Sequence, residues 1–338
     1  MTKNPQTGHA KDLELPNLDL LRSIAVLFVL YDHIFTRIVS GSHDLVPWLG
    51  RLGVLFFFVH TCCVLMMSLE RHEGPHLIMK FYARRTFRIY PLIIVAVLIA
   101  FFSPGPRLKI WELISNLALI QNLTFARYSF GSIWSLPIEV QMYLVLPFAF
   151  LIVSRFTRPW VPFALLCLSF PVAYWQPHHV ARASVLFYAP NFLPGVIAYQ
   201  IFKAKYQRFP SWAFVPLIGI TTAIFLYRPG WQASAWLTCL LLGVVLPLVR
   251  QIQSATVRVV SSLIAKYSYG IYIAHSVLTL YMRPSSQNLP WYLLATGIGA
   301  VLSYHLLEHP MIRFGYHVTR QRKIQAPVLV SQRQAAVS

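Results

Sequence analysis

Long apolar segments, separated by short polar or Pro/Gly-rich stretches, follow one another along almost the whole chain. A membrane-spanning helix needs about 20 mostly apolar residues, and ten segments have this character. They lie at about 20–40, 52–69, 89–104, 133–153, 160–176, 183–202, 211–227, 233–250, 262–282 and 290–309. Barrel strands are shorter and alternate between apolar and polar positions. The pattern therefore predicts an all-α fold, a polytopic membrane helix bundle with about ten transmembrane helices.

One weaker apolar segment, at 111–126, is interrupted by polar residues such as Glu112 and Asn116. Whether it crosses the membrane decides on which side every later loop lies. If it does not cross and the N-terminus is inside, most of the 29 Lys and Arg residues fall on the inner side, as the positive-inside rule requires. The segment is therefore predicted to be an interfacial or re-entrant helix on the outer side.

This topology divides the chain into a cytoplasmic N-terminal segment (1–17), a membrane domain (18–316) and a cytoplasmic basic tail (317–338). It predicts an integral protein of the cell (inner or plasma) membrane with both termini in the cytoplasm. The net charge of +19 then reflects topology and contact with anionic membrane lipids, and no nucleic-acid partner is expected.

Composition excludes two other classes of protein. Hydrophobic residues make up 57% of the 338 positions and charged residues 12%, with a mean hydropathy of +0.56. Soluble domains carry about 25% charged residues, and intrinsic disorder requires low hydrophobicity. The four cysteines lie in apolar segments, which indicates neither a disulfide framework nor a metal site. The first apolar segment contains Arg22, Asp32 and His33 and is not predicted to be a cleavable signal peptide.

Ionisable side chains inside apolar segments cost about 2.5–3.5 kcal/mol to insert, so they are candidates for function. Arg22 and His33 are eleven residues apart in the first segment, which is about three helical turns, so they share one face roughly 16 Å apart. This arrangement suits a long anionic substrate whose reactive end reaches into the membrane. The alternative is structural: Asp19 caps the helix, Arg22 pairs with it, and His33 is a hydrogen-bonded core residue.

Three arginines, Arg84, Arg85 and Arg88, lie within five residues on the predicted inner side. Guanidinium groups bind phosphates through paired, charge-assisted hydrogen bonds. The cluster is therefore a candidate phosphate site, and the alternative is a purely topological anchor.

A carboxylate, Glu139, lies in the segment WSLPIEVQMY (134–143). Ser135 and Tyr143 share its helix face because they are four residues away in each direction. A buried carboxylate in this position is suited to orient an imidazole or to bind a sugar hydroxyl. The alternative is a structural hydrogen bond between helices.

A second histidine, His275, shares a helix stripe with Ser268 and Tyr272 in a late, aromatic-rich segment. Such helices often satisfy a histidine internally, so a structural role stays open for it. A structural role is favoured for three further polar residues: His60, His305 and Glu308.

Together these residues resemble acyltransferase family 3, the integral-membrane carbohydrate O-acyltransferases. The resemblance runs from about Leu18 to Pro310 and rests on five segments in order, which are LDLLRSIA (18–25) leading to His33, RRTFRIYP (84–91), WSLPIEVQMY (134–143), SYGIYIAH (268–275) and EHP (308–310). The second helix departs from the family pattern, because Leu55 stands where the family has Asp, and His60 and Thr61-Cys62 replace Leu and Ser-Gly.

The resemblance implies an acyl-CoA-dependent enzyme with no permanently bound cofactor and no metal. Acyl-CoA, acetyl-CoA by default, is the expected co-substrate, and a carbohydrate or glycoside hydroxyl is the expected acceptor. His33 is implied as general base or acyl carrier, with Glu139 orienting it or the acceptor. The implied CoA-binding residues are Arg22, Arg84, Arg85 and Arg88. The implied supporting polar residues are Asp19, Ser135, Tyr143, Tyr272 and His275.

Two other functions are compatible with the pattern. A transporter or flippase for a lipid-linked glycan also has about ten helices with charges at membrane depth. Transporters usually show internal repeats and paired broken helices, which this sequence does not. A non-catalytic family member is the other alternative, and the altered second helix is the only feature that favours it.

Overall fold

The structure, a computed structural model, describes residues 15–38, 46–71, 76–104, 107–156, 158–179 and 182–319, and these ranges contain helices and turns but no β-strand. The helices are α1 Pro16–Ile38, α2 Val46–Glu70, α3 Leu77–Phe101, α4 Ile110–Leu117, α5 Ser135–Arg155, α6 Val161–His179, α7 Val185–Phe192, α8 Pro194–Lys203, α9 Phe214–Tyr227, α10 Gln232–Val245, α11 Ala255–Leu278, α12 Leu289–Ser303 and α13 His309–Thr319. The all-α prediction is confirmed. The predicted segments 1–17 and 317–338 lie mostly outside the described residues.

The long helices follow the predicted apolar segments. Within the described ranges, three helical stretches are long and apolar enough to cross a membrane: Trp48–Glu70, Gly131–Arg155 and Val185–Lys203. Two shorter apolar stretches lie at Ser211–Tyr227 and Gln232–Leu248. These helices and the composition indicate a membrane protein, and the number of crossings stays a prediction.

The weak segment at 111–126 does not form a spanning helix. Its only helix, α4, has eight residues and is therefore about 12 Å long, well short of the roughly 30 Å hydrocarbon core. After α4 the chain turns twice through left-handed residues, Leu119 with φ 55° and Phe125 with φ 57°. On α4 itself Glu112 is buried while Trp111 is half exposed, so the apolar side points outward as it does in interfacial helices.

An ion pair holds this segment in place. Arg127 donates two hydrogen bonds of 2.9 Å to the Glu112 carboxylate, and the backbone N–H of Lys109 donates a third of 2.7 Å. The Asn116 side chain donates to the Arg127 carbonyl oxygen at 2.8 Å. These contacts with Arg127 and Lys109 lower the pKa of Glu112 from 4.5 to about 2.

We expect this ion pair to make stability depend on acid pH. Because the folded pKa of Glu112 lies below the unfolded value, its stabilising effect is complete above 4.5 and is lost as the pH falls toward about 2. The melting temperature of wild type should therefore fall more over this interval than that of Glu112→Gln. Thermal unfolding of both proteins in detergent checks this, and identical pH dependences would contradict it.

The first helix is held at the centre of the bundle by α2 and α11. A Cβ at Gly53 of α2 would lie 2.4 Å from the Ala25 carbonyl oxygen, so only glycine allows this close approach. On the other side Ser23 donates to the Ser261 carbonyl oxygen at 2.7 Å. The functional side chains of α1 therefore stand between two rigidly packed helices.

The end of α12 carries an irregular turn. Residues Tyr304–Glu308 form a π-helical turn that joins α12 to α13. Pro310 is the second residue after this turn, and a proline cannot supply the N–H that a regular helix needs at that point. The Glu308 carboxylate is buried there, with one oxygen that receives no hydrogen bond from the described part of the chain. Such π-turns occur frequently near functional sites.

Candidate active site

Three adjacent cavities form a row that is lined by α1 and α2 together with α3, α5 and α11. The first, which we call the arginine cavity, has a volume of about 60 Å³ and is lined mainly by Arg22, His60, Arg85, Arg88, Glu139 and Tyr143. The second, the middle cavity, also of about 60 Å³, is lined mainly by Arg22, Val54, Thr61, Glu139, Ser268 and Tyr272. The third, the histidine cavity, of about 270 Å³, is lined mainly by Asp32, His33, Arg51, Trp134, Tyr188 and Tyr272.

Neighbouring cavities share side chains, so they lie next to one another. Arg22, Thr61 and Glu139 line both the arginine cavity and the middle cavity. Val54 and Tyr272 line both the middle cavity and the histidine cavity. An extended ligand that reached from the arginines to His33 would pass through the middle cavity, beside Tyr272.

Helix α2 extends along the entire row. Arg51 lies at the histidine cavity and Leu65 at the arginine cavity. These residues are fourteen positions apart, which corresponds to about 21 Å of helix. On α1, Arg22 and His33 stand at the two ends of the same row, as their spacing predicts.

The arginine cavity gathers three guanidinium groups around one carboxylate. The Nε of Arg22 donates to the Ser268 hydroxyl at 2.6 Å, and Arg85 and Arg88 line the same space. The hydroxyl of Tyr143 donates to the Glu139 carboxylate. The cavity carries a net positive charge, because arginine stays protonated in proteins.

The Nε of Arg85 is buried and makes no hydrogen bond to any described residue. Its guanidinium lies over the ring of Phe81, 5.7 Å from the centroid. A buried guanidinium N–H without a partner costs free energy, so this donor is available to an anionic ligand.

The third arginine of the sequence cluster points elsewhere. The Nε of Arg84 donates to the Thr319 hydroxyl at 2.8 Å, and its guanidinium lies 4.7 Å from the ring centroid of Tyr316 on α13. The structure thus brings Arg22, Arg85 and Arg88 together and places Arg84 against α13.

His33 is hydrogen-bonded to a second histidine. Its Nδ1 lies 2.7 Å from Nε2 of His275, and Nδ1 of His275 lies 2.9 Å from the Ile271 carbonyl oxygen. A carbonyl oxygen only accepts, so Nδ1 of His275 carries the proton. The neutral His275 then accepts at Nε2, and His33 donates from Nδ1. In this arrangement the unprotonated nitrogen of His33 is Nε2, the form that a general base needs.

Tyr272 lies between the middle cavity and the histidine cavity, and two hydrogen bonds fix its hydroxyl. Its hydroxyl donates to the Ser132 carbonyl oxygen at 2.7 Å and accepts from the Ser135 hydroxyl at 2.7 Å. Its ring meets the His275 ring edge-on, with centroids 5.9 Å apart. Ser135, Tyr272 and His275, all predicted from the sequence as supporting residues, therefore form one contact group beside His33.

Comparison with known proteins decides the family. A family model described as "Acyltransferase domain", that of acyltransferase family 3, matches residues 15–307. The chain belongs to acyltransferase family 3. A protein of Acidianus two-tailed virus named "Putative acetyltransferase ORF330" is 23% identical over 287 residues, which is 78% of this chain and 83% of that protein. No solved structure matches the chain.

The family match covers all three cavities, since their lining residues fall within 15–307. Asp32, Arg51 and His60 are among the lining residues that sequence reasoning did not select for a function. Asp32 lies next to His33 but about 100° away around the helix, and the histidine cavity is wide enough to take in both. Asp19 lies in the first turn of α1 and lines none of these three cavities. Among the described residues, no group of three or more His, Cys, Asp or Glu side chains is arranged for a metal ion.

Proposed function

We propose that this acyltransferase moves an acyl group, acetyl in the simplest case, from cytoplasmic acyl-CoA to a hydroxyl of a carbohydrate or glycoside. The observation that carries the proposal is the row of adjacent cavities from Arg22, Arg85 and Arg88 to His33. One end is cationic and the other presents an imidazole, which suits a long donor with an anionic head and a reactive far end.

The donor enters at the arginine cavity. CoA is polyanionic, and Arg85 and Arg88 hold its phosphates through charge-assisted hydrogen bonds. Arg22 already has one contact, with Ser268, and adds positive charge where the donor turns into the row. The extended arm follows α2 through the middle cavity and delivers the thioester beside His33.

The transfer itself takes place in the histidine cavity. The acceptor oxygen attacks the thioester carbonyl while Nε2 of His33 takes the hydroxyl proton. The carbon–sulfur bond breaks, CoA leaves as thiolate, and the proton on His33 passes to that sulfur. The walls of this cavity, with Trp134 and Tyr188 beside the charged Asp32 and Arg51, combine apolar surface with a few polar groups, as small-molecule sites do.

A two-step route uses the same nitrogen as the acyl carrier. Nε2 of His33 attacks the thioester carbonyl, the carbon–sulfur bond breaks and CoA leaves as thiolate. The acceptor hydroxyl then takes the acyl group from the imidazole, and the proton it loses passes through the freed imidazole to the CoA thiolate. Rapid quenching of the enzyme with radiolabelled acetyl-CoA, without acceptor, separates the routes. Label bound to the protein indicates the two-step route, and its absence indicates direct transfer.

We expect His275 to act as a positioning residue for His33. His275→Ala removes the acceptor that holds Nδ1 of His33, so kcat should fall about tenfold or more while the Kd of acetyl-CoA stays unchanged. His275→Gln, which keeps an acceptor oxygen, should retain more activity. The pH profile of kcat should change in His275→Ala. Equal losses in both variants, together with lowered melting temperatures, would instead indicate a structural role.

Donor dependence tests the proposed function. Purified protein is incubated with radiolabelled acetyl-CoA and a panel of oligosaccharides and glycosides, and label is followed into the sugar fraction. Transfer that requires both the donor and wild-type protein supports the proposal. Donor-independent movement of a lipid-linked glycan across vesicles, with no transfer of label, would favour a transporter.

A further inference from the structure

One buried histidine in the arginine cavity has no role in the scheme above. His60 lies on α2, is 4% exposed and lines the cavity together with Arg22 and Glu139. Its Nδ1 is buried and receives or donates no hydrogen bond within the described part of the chain. A buried polar nitrogen left without a partner costs free energy, so a ligand in this cavity would complete the site.

The position of His60 along the row indicates which part of a ligand it meets. Thr61, the next residue, lines both the arginine cavity and the middle cavity. Val54, at the junction with the histidine cavity, is six residues away, which is about 9 Å of helix. In the other direction along α2, Arg85 borders a small cavity beside Leu69, nine residues past His60. His60 therefore lies between this arginine and the middle cavity.

The chemistry of imidazole narrows the ligand class. Guanidinium groups offer only donors and suit phosphates, whereas a neutral imidazole offers one donor and one acceptor. An amide also offers one donor and one acceptor. The segment of CoA between its phosphates and its thiol, the pantetheine arm, carries two amides in an otherwise apolar chain. Around the middle cavity, α2 contributes Val54, Phe57 and Phe58, which are apolar, and Thr61.

We propose that His60 is a donor-binding residue that hydrogen-bonds an amide of the pantetheine arm through Nδ1. The inference rests on the proposed function, because it takes acyl-CoA as the donor. It assigns separate tasks to the residues of the arginine cavity. Arg85 and Arg88 bind the phosphates, and His60 binds the arm and sets its path toward the middle cavity.

Two ligands and three variants test this assignment by calorimetry on detergent-purified, full-length protein. Acetyl-CoA carries both phosphates and arm, whereas 3′-phosphoadenosine 5′-diphosphate carries the phosphates alone. His60→Leu should weaken acetyl-CoA binding about tenfold, the loss expected for one hydrogen bond, and leave binding of the nucleotide unchanged. His60→Asn, which keeps a polar group near the position of Nδ1, should restore most of the affinity. His305→Leu, at an exposed histidine, is the matched control.

Three other results would each contradict one part of the proposal. If His60→Leu binds acetyl-CoA with wild-type affinity, Nδ1 of His60 makes no hydrogen bond to the ligand. Equal weakening for both ligands would mean that His60 supports the cavity structure or the phosphate site rather than the arm. If wild type binds neither ligand, acyl-CoA is not the donor and the proposed function itself fails. This result is distinct from the two results above, in which wild type binds acetyl-CoA and only the role of His60 is contradicted.

Discussion

Replacing His33 with alanine should abolish acyl transfer and leave donor binding intact. In the hydrogen-bond chain through His275 and Ile271, Nδ1 of His33 is the donor, which leaves Nε2 as the nitrogen of His33 that can take a proton. A positioned general base contributes about 100- to 10,000-fold to a rate, so kcat should fall by at least about 100-fold. Binding should persist, because the proposed phosphate site at Arg85 and Arg88 lies at the opposite end of the row.

Two measurements on His33→Ala, of kcat and of the Kd of acetyl-CoA, test this prediction. Transfer of label from radiolabelled acetyl-CoA gives kcat, and calorimetry gives the Kd of acetyl-CoA. His305→Ala, at an exposed histidine that contacts Tyr267, serves as control and should behave as wild type. A folded His33→Ala protein with wild-type transfer would show that the histidine cavity is not the site of the reaction.

The double variant Arg85→Ala/Arg88→Ala should lose donor binding. A hydrogen bond to a charged group contributes about 1.5–3 kcal/mol, so two such bonds correspond to a rise in Kd of about 100-fold or more. Both side chains line the arginine cavity, and the Nε of Arg85 has no partner among the described residues. The effect should weaken with added salt, since it depends on phosphate charge.

The matched control for this double variant is Arg155→Ala/Arg158→Ala. These two arginines are also close in sequence but are exposed, at the end of α5 and just beyond it. Their loss removes the same net charge and should leave the Kd of acetyl-CoA near the wild-type value. An unchanged Kd in Arg85→Ala/Arg88→Ala, or an equal rise in both double variants, would remove the phosphate role from the arginine cavity.

Features that depend on one helix could be predicted from the sequence. The four-residue spacing of Glu139 and Tyr143 predicts a shared face, and their side chains are hydrogen-bonded. The eleven-residue spacing of Arg22 and His33 predicts one face, and both line the row of cavities. The periodicity of an α-helix fixes such relations without any knowledge of tertiary packing.

Contacts between distant helices could not be predicted in this way. His33 and His275 are 242 positions apart and Arg22 and Ser268 are 246 apart, so nothing in local spacing pairs them. The arginine cluster illustrates the same limit. Arg84 and Arg85 both have helical spacing to Arg88, and only packing against α13 separates them.

His60 is a further case in which the surroundings depend on distant helices. An ionisable residue in an apolar segment is costly wherever it occurs, and this argument applies to His60 as fully as to His33. From the sequence alone, a structural role is favoured for His60. The structure places His60 in the arginine cavity, which is formed largely by residues from other helices.

The most direct test of the account is the sidedness of transfer in sealed proteoliposomes. The enzyme is reconstituted in one orientation, radiolabelled acetyl-CoA is added on the side of the arginine cavity, and impermeant oligosaccharides are trapped inside. The account predicts that label appears in the trapped sugars while CoA stays outside, and that His33→Ala vesicles show no transfer. Label that reaches sugars only when they share a side with acetyl-CoA would contradict passage of the acyl group along the row of cavities.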